Sequence, residues 1–434
     1  MSWRNSAEYR TRLVSIAEAA GRVRSGDRVF IGHGMASPKD LVEALADRAE
    51  ELDDVHILSS LTLYPYRFIT DRACIGHIDY HTMFASEVDR GFVHLGTVHL
   101  TSVHLSQIDV AIEHFHPNLF LADVSEPDED GYLYYGPLGV HTNTYGERCA
   151  ELKIVQVNSH QPRVHGDGRT NRIHITAVDL ICEADHELPE YHQPLVTELE
   201  HRIAAHLLPL IEDGSCIQLG LGGVANAVGF GLAGKHNLSI HSEMFTDSMM
   251  ALQKAGVITG PVRCAFALGS RELMGEYLWE AGIRLEPTPV VNDVLAIARN
   301  PSMVSINSTL MMDLTGQAAS EGVGHRQISG TGGQLDFVRG AAMSEGGQSF
   351  LCLHATRLDR ATGVTSSNIV LALPPGTPVT TPRADVMFAV TEYGVADLYC
   401  RSIEERVHAM IAIAHPDFRA ELTRGAIEAG LIRG

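Results

Sequence analysis

Short runs rich in Val, Ile and Leu alternate along the chain with Ala-rich stretches in which apolar residues recur three and four apart. A strand covered by helices on both faces reads as a continuous apolar run, and its covering helices show a 3.6-residue period, so this alternation predicts an α/β protein with mainly parallel sheets. Strands are expected at 27–31, 55–58, 119–124, 153–157, 216–219 and 238–241, and helices at 38–48, 195–208, 247–255 and 403–413. The segment DHELPEYHQ, Asp185 to Gln193, interrupts the pattern with polar residues and a proline, and helix signals resume at Leu195. It marks a boundary between an N-terminal domain, 1–186, and a C-terminal domain, 194–434.

The two halves repeat. An offset of 188 residues lays VFIGHGMASPKDL, 29–41, on IQLGLGGVANAVG, 217–229: three strand residues, then Gly-x-Gly, then the opening of a helix. In each half a further strand runs into polar residues, Ser59-Ser60 in the first and Ser242-Glu243 in the second. The expected architecture is therefore two tandem open α/β domains. Ligands of such sheets bind outside the carboxyl ends of the strands, which puts the expected active site in the crevice between the domains, beside both Gly loops.

Composition narrows the function class. With 45% hydrophobic residues in 434, the chain fills complete cores, and 33 Lys+Arg against 53 Asp+Glu leave a net charge of −20. That charge opposes a nucleic-acid or anionic-membrane binder, because both partners demand positive surface. The seven cysteines form no C-x-x-C pair, as in a cytoplasmic protein with reduced thiols. Residues 1–13 carry Arg4, Glu8, Arg10 and Arg12 with no apolar core of a signal peptide, and no stretch reaches the 18 or so apolar residues of a membrane helix. The 23 histidines show no H-E-x-x-H and no other metal-ligand spacing, so no metal is expected. No G-x-S-x-G elbow is present, which removes a standard serine hydrolase.

Two Gly-rich loops carry the candidate chemistry. The first, Gly220-Leu221-Gly222-Gly223-Val224-Ala225-Asn226, opens a helix whose free N–H groups suit an anion. It fits a dinucleotide fingerprint (Gly220, Gly222, Ala225), with Glu243 standing as the ribose-binding acid 23 residues on. It equally fits an oxyanion or phosphate cradle beside a reactive carboxylate. The second loop, Ser329-Gly330-Thr331-Gly332-Gly333-Gln334, also opens a helix; its plain alternative is a tight turn. Glu243 follows a strand and precedes a helix capped by Thr246 or Asp247, a place where a carboxylate can be held ionised for nucleophilic attack, or can be a solvated acid with no role. His33, between Gly32 and Gly34, is the histidine placed to orient a substrate carboxylate.

The blocks IHSEMFTD (240–247), QLGLGGVANAV (218–228), FALGSREL (266–273), MVSINS (303–308), DLTGQ (313–317), SGTGGQLDFVRGA (329–341) and VTEYGVADL (390–398) resemble the acetyl-CoA hydrolase/transferase family, and most closely the 4-hydroxybutyrate CoA-transferases within it. The likeness extends to IAIAHPDF (411–418) and, more loosely, to VSEPDEDG (124–131). The resemblance implies ping-pong transfer of CoA between carboxylates by two α/β domains, with Glu243 as the nucleophile that becomes a glutamyl-CoA thioester. It implies that Gly220, Gly222, Gly223, Asn226, Gly330, Gly332, Gly333 and Gln334 form the oxyanion and CoA-binding loops, and that His33, Ser242 and Asn307 line the pocket of the acid. CoA is then a substrate and no cofactor is held permanently; the partners are acyl-CoA and a small carboxylate such as 4-hydroxybutyrate, a short fatty acid, succinate or itaconate. A cytoplasmic homodimer is the expected form. The chain departs from the family's pattern at Ser248, at Ala318-Ala319 after Gln317 and at Ala225-Asn226, positions near the expected acid pocket. Acyl-CoA hydrolysis on the same scaffold, a nicotinamide-dependent oxidoreductase and a non-catalytic binding protein are the alternatives.

Overall fold

The computed structural model describes residues 3–191 and 194–434; His192 and Gln193, the end of the expected linker, lie outside the described residues. The chain forms two compact units. Unit one holds the described residues through Tyr191 together with Arg263–Val291 and Ile328–Gly332. Unit two holds the described residues from there through Val262, with Asn292–Gln327 and Gly333–Gly434. Two pieces of the second half of the sequence therefore fold into the first unit.

The sheet of unit one contains β1 (Arg28–Ile31), β2 (Val55–Ser59), β3 (Ile78–Thr82), β4 (Val98–Leu100), β5 (Leu119–Val124), β6 (Leu152–Asn158) and β7 (Leu180–Ala184). Their order is β4-β3-β2-β1-β5-β6-β7, and every neighbouring pair is parallel. The side-chain period of two sends alternate residues into two cores. Val29, Ile31, Leu119, Leu121 and Ile154 pack on one face with Leu41 and Leu45 of helix α1 (Lys39–Ala46), while Phe30, Phe120, Ala122, Val155 and Val157 pack on the other. β5 is buried at every position, in keeping with a sequence, LFLADV, that is apolar except at Asp123.

Unit two repeats this winding. Helix α2 (Glu198–Leu207) starts on a capping box in which Thr197 and Glu200 satisfy each other's backbone ends. Its sheet contains β8 (Cys216–Leu219), β9 (Leu238–Phe245), β10 (Ile258–Ala267, of which 258–262 belong to unit two), β11 (Met303–Ser308), β12 (Gln348–Cys352), β13 (Phe388–Thr391) and β14 (Gly394–Asp397), in the order β10-β9-β8-β11-β12-β13-β14. β14 is antiparallel to β13, and the pairs from β9 through β8, β11 and β12 to β13 are parallel. In each sheet the chain leaves the strand before the Gly loop toward one edge, then returns to build outward on that strand's other side. The strand order thus reverses between β1 and β5 and again between β8 and β11, and such a reversal opens a crevice at the carboxyl ends of the two central strands. Unit two also carries α3 (Gly223–Gly231), α4 (Asp247–Lys254), α5 (Val294–Ala298), α6 (Gln334–Met343) and α7 (Ile403–Ile413).

Phe120 is fully buried, stacked on Phe30 at 6.0 Å between ring centres and edge-on to Tyr135 at 6.1 Å. Phe120→Ala is expected to destabilise unit one by about 3–5 kcal/mol, the usual cost of emptying a buried aromatic site. Urea unfolding checks it, and a loss below about 1 kcal/mol contradicts this packing.

Candidate active site

The strand expected at 238–241 runs on as β9 through Phe245. Ser242 is fully buried, with its hydroxyl directed at the Leu219 carbonyl of β8 at 3.4 Å, so the polar pair stays in the sheet. Glu243 consequently sits inside the strand, while helix α4 starts at Asp247 behind Thr246, as expected. The departure from the expectation of a carboxylate held ionised there is its loss of solvent. Loss of water dominates instead and pushes the Glu243 carboxyl up to about 7, with the Asp336 charge adding to the rise and a hydrogen bond from Asn292 opposing it.

That bond fixes the geometry. Asn292 Nδ2 donates to Glu243 Oε1 at 2.6 Å and lies 3.3 Å from Asp336 Oδ2. Asn292 is fully buried and Asp336 nearly so. Gly333 closes the other side: a Cβ on it would overlap both Glu243 Oε1 and Asn292 Nδ2. Its φ of −104° is open to any residue, so what demands glycine here is space.

At the strand ends beside Glu243, Gly220 packs on β11, where a Cβ would stand 2.7 Å from Asn307 Oδ1. Gly222 caps α3 with φ of +117°, a conformation that calls for glycine. The first N–H groups of α3 have no carbonyl within their own helix and are the donors available to an anion. Gly223 packs on Glu200, whose carboxylate pairs with His354 at 2.9 Å.

The remaining expected site residues fall into different environments. Asn307 exchanges two 3.0 Å hydrogen bonds with Gln218 on β8, tying β8 to β11. Gln334 accepts from Ser320 (2.7 Å) and Thr381 (3.0 Å) and donates to the Ser308 carbonyl (2.9 Å), so its whole amide is engaged with the protein. Asn226 is partly exposed and reaches the Pro194 carbonyl at 3.5 Å. Ser248 is buried and bonded to the Thr246 hydroxyl at 3.0 Å. Gly330 and Gly332 belong to unit one, where Gly330 lies against Met83 and Phe84 and the Gly332 carbonyl accepts from the Leu105 N–H at 3.1 Å.

His33 is also in unit one and fully buried. Its Nδ1 lies 2.9 Å from His141 Nε2 and 3.2 Å from the Thr142 hydroxyl, and His141 Nδ1 lies 3.1 Å from the Thr288 hydroxyl. Burial lowers the basicity of both rings, His141 to about 3, so neither offers a charge to a carboxylate at neutral pH. Asn292 and Asp336 were not singled out from the sequence. Asp336 lies within the quoted block 329–341, and Asn292 carries only the signal of preceding Asp293, which caps α5. Among the described residues no helix is long and apolar enough to cross a membrane, and no cluster of three or more metal-binding side chains occurs.

Residues 2–190 match the acetyl-CoA hydrolase/transferase N-terminal domain and residues 269–426 its C-terminal domain. The chain is 39% identical to a succinyl-CoA:cyclohexane-1-carboxylate CoA transferase of Geobacter metallireducens over 96% of both chains. It is 34% identical to the 4-hydroxybutyrate coenzyme A transferase of Clostridium kluyveri over 95% of this chain and 97% of that one. Its fold is similar to the crystal structure of RipA from Yersinia pestis, with a TM-score of 0.90 and 33% identity over 98% of this chain and 99% of that one. The chain belongs to the acetyl-CoA hydrolase/transferase family.

Proposed function

We propose that the chain moves CoA between an acyl-CoA and a small carboxylic acid through a covalent glutamyl-CoA thioester on Glu243. The observation that carries this reading is the state of Glu243: a carboxylate pinned through Oε1 by Asn292, pressed by Gly333 and raised in basicity, at the strand ends where ligands of this fold bind. The relatives suggest the substrate class, since one is named for succinyl-CoA and cyclohexane-1-carboxylate and another for 4-hydroxybutyrate. Free CoA and acyl-CoA are substrates, and no resident cofactor enters the reading.

In the first step Glu243 Oε2 attacks the thioester carbonyl carbon, the carbon–sulfur bond breaks and CoA leaves as a thiolate, giving a mixed anhydride. The thiolate then attacks Cδ of Glu243; the Cδ–Oε2 bond breaks and the donor acid departs as a carboxylate carrying Oε2. The product is a glutamyl-CoA thioester whose carbonyl oxygen is Oε1. An incoming carboxylate runs the same steps in reverse. Fixing the nucleophile supplies the effective concentration that a weak carboxylate needs, and the N–H groups at Gly222-Gly223 and at Gly333 are the donors for the developing oxyanions. Hydrolysis is the alternative outcome of the same intermediate, reached when water instead of an acid resolves it. The reading places the enzyme in the cytoplasm, in keeping with its seven free cysteines, and as a homodimer, the commonest assembly.

Borohydride or hydroxylamine trapping after incubation with a short acyl-CoA, followed by peptide mass mapping, is expected to modify Glu243. Glu243→Gln is expected to lower transfer by at least about 1000-fold, and activity near wild type in that variant sinks the assignment. Because burial disfavours the ionised carboxylate, removing it is also expected to raise folding stability by roughly 1–3 kcal/mol at pH 8, above the folded-state value of about 7, and by little near pH 5, where the folded carboxyl is already neutral. Thermal unfolding at the two pH values checks the sign.

The nucleophile must be ionised, so kcat/KM in the free enzyme is expected to fall about tenfold per pH unit below about 7. A flat profile down to pH 5 contradicts it. Gly333→Ala forces the carboxylate aside and is expected to reduce kcat by more than about tenfold, as misplacement of a reacting group does, with KM for acyl-CoA changed much less. Steady-state kinetics with varied acyl-CoA make the comparison.

A further inference from the structure

We infer that Asp336 is a positioning residue for this reaction: through the Asn292 amide it keeps Oε1 of Glu243 as the fixed, hydrogen-bonded oxygen and leaves Oε2 as the attacking one. The inference rests on Glu243 being the nucleophile and adds a residue that acts on it without touching substrate.

The argument starts from a buried amide. Asn292 Nδ2 has two N–H groups; one is directed at Glu243 Oε1 at 2.6 Å and the nitrogen lies 3.3 Å from Asp336 Oδ2. Its Oδ1 is buried and has no donor among the described residues. An amide normally turns to satisfy its carbonyl oxygen, and this one does not, because turning would set that oxygen against two carboxylates. While Glu243 is ionised, both carboxylates hold the orientation. Once Glu243 is acylated it is neutral, and the anion that remains to keep Nδ2 facing Oε1 is Asp336. That is the moment the donor matters, since Oε1 is the carbonyl oxygen on which negative charge gathers when the thiolate adds to Cδ.

Two further titratable groups, Arg339 and His241, are engaged elsewhere. Arg339, one turn along α6 from Asp336, makes a two-pronged pair with Asp385 at 3.0 and 3.2 Å. His241, on the same side of β9 as Glu243, has Nδ1 2.9 Å from the Asn300 amide. Asp336 stands in the first turn of α6, three residues after Gly333. One helix start therefore provides both the space for the carboxylate and the anion that orients its donor.

The test uses the full-length enzyme and its Asp336→Asn and Asp336→Ala variants, with acetyl-CoA as donor and a short-chain carboxylate as acceptor. Asp336→Asn keeps an acceptor for Asn292 but loses the charge; its acid limb of kcat/KM is expected to move down by about half to one pH unit, with most of kcat at pH 8 retained. Asp336→Ala loses both, and its kcat at pH 8 is expected to fall about 30-fold or more with KM for acetyl-CoA within about threefold, the mark of an interaction made in the transition state. Equal losses in the two variants with an unmoved acid limb, or wild-type kinetics in both, overturn the inference. If Asp336→Ala does not fold, the pH limb of Asp336→Asn decides alone. Trapping on wild-type enzyme separates the two readings: an adduct on Glu243 with unmoved variants removes only the role of Asp336, whereas no adduct on Glu243 removes the nucleophile itself.

Discussion

The site depends on a carboxylate that has lost much of its water without gaining a positive partner among the described residues. A Lys or Arg at Glu243 would hold the group just as firmly, but it would lower the basicity and stabilise the anion the reaction has to consume. An amide donor holds position at far smaller cost to nucleophilicity. Burial and the nearby Asp336 act the other way and raise the carboxyl to about 7, so that the group is substantially ionised at neutral pH yet more basic than a free acid. Space is the second half of the same constraint. The Asn292 bond forms at 2.6 Å only because residue 333 has no side chain, and the glycine thus belongs to the nucleophile as much as to its own loop.

The repeated winding explains where this chemistry stands and why only one copy has it. In both sheets the strand before the Gly loop lies at the reversal of strand order, so both units have a crevice. In unit two the loop opens the nine-residue helix α3, and the neighbouring strand β9 brings in an acid. In unit one the corresponding loop runs into a single turn, Gly34–Ala36, and β2 ends in Ser59 with Ser60 following. The residue between the glycines there, His33, is closed into a chain of neutral rings and hydroxyls. His33 is thus occupied within unit one, and the acid proposed to react belongs to unit two.

Much of the fold was legible because hydrophobic period is a property of single segments. The six expected strands all form, at nearly the expected limits, since each is an apolar run flanked by turn residues. The exception is instructive: β9 was expected to end at 241 because Ser242 and Glu243 are polar, but a buried serine bonded across to β8 costs little, and the strand runs on. The helix after it starts where expected, but loss of solvent at Glu243, which the sequence did not show, disfavours its anion. Asn292 was illegible for a different reason. It lies 49 residues from Glu243, and only the fold of unit two brings them together. Asn307 and Gln334 stand in the right blocks, but the sequence could not show that their amides would be engaged by Gln218, Ser320 and Thr381.

The amide-held carboxylate also bears on how the intermediate is poised. Exchange of CoA between two carboxylates is an exchange of one acyl bond for another, so its balance follows how well each free carboxylate is stabilised. An ordinary small acid in water is well solvated as its anion and has a pKa near 4 to 5, typical of carboxyl groups. Glu243, partly buried and beside Asp336, is not. Converting it to a neutral thioester relieves a penalty that converting a free acid does not, which tilts the exchange toward the enzyme-bound thioester. A filled intermediate is what a ping-pong enzyme needs between substrates, and it is also what water can attack. On the proposed reading, the physical feature that would make Glu243 a competent nucleophile also makes transfer and hydrolysis rivals at one carbon, and access of water to that carbon sets which of the two prevails.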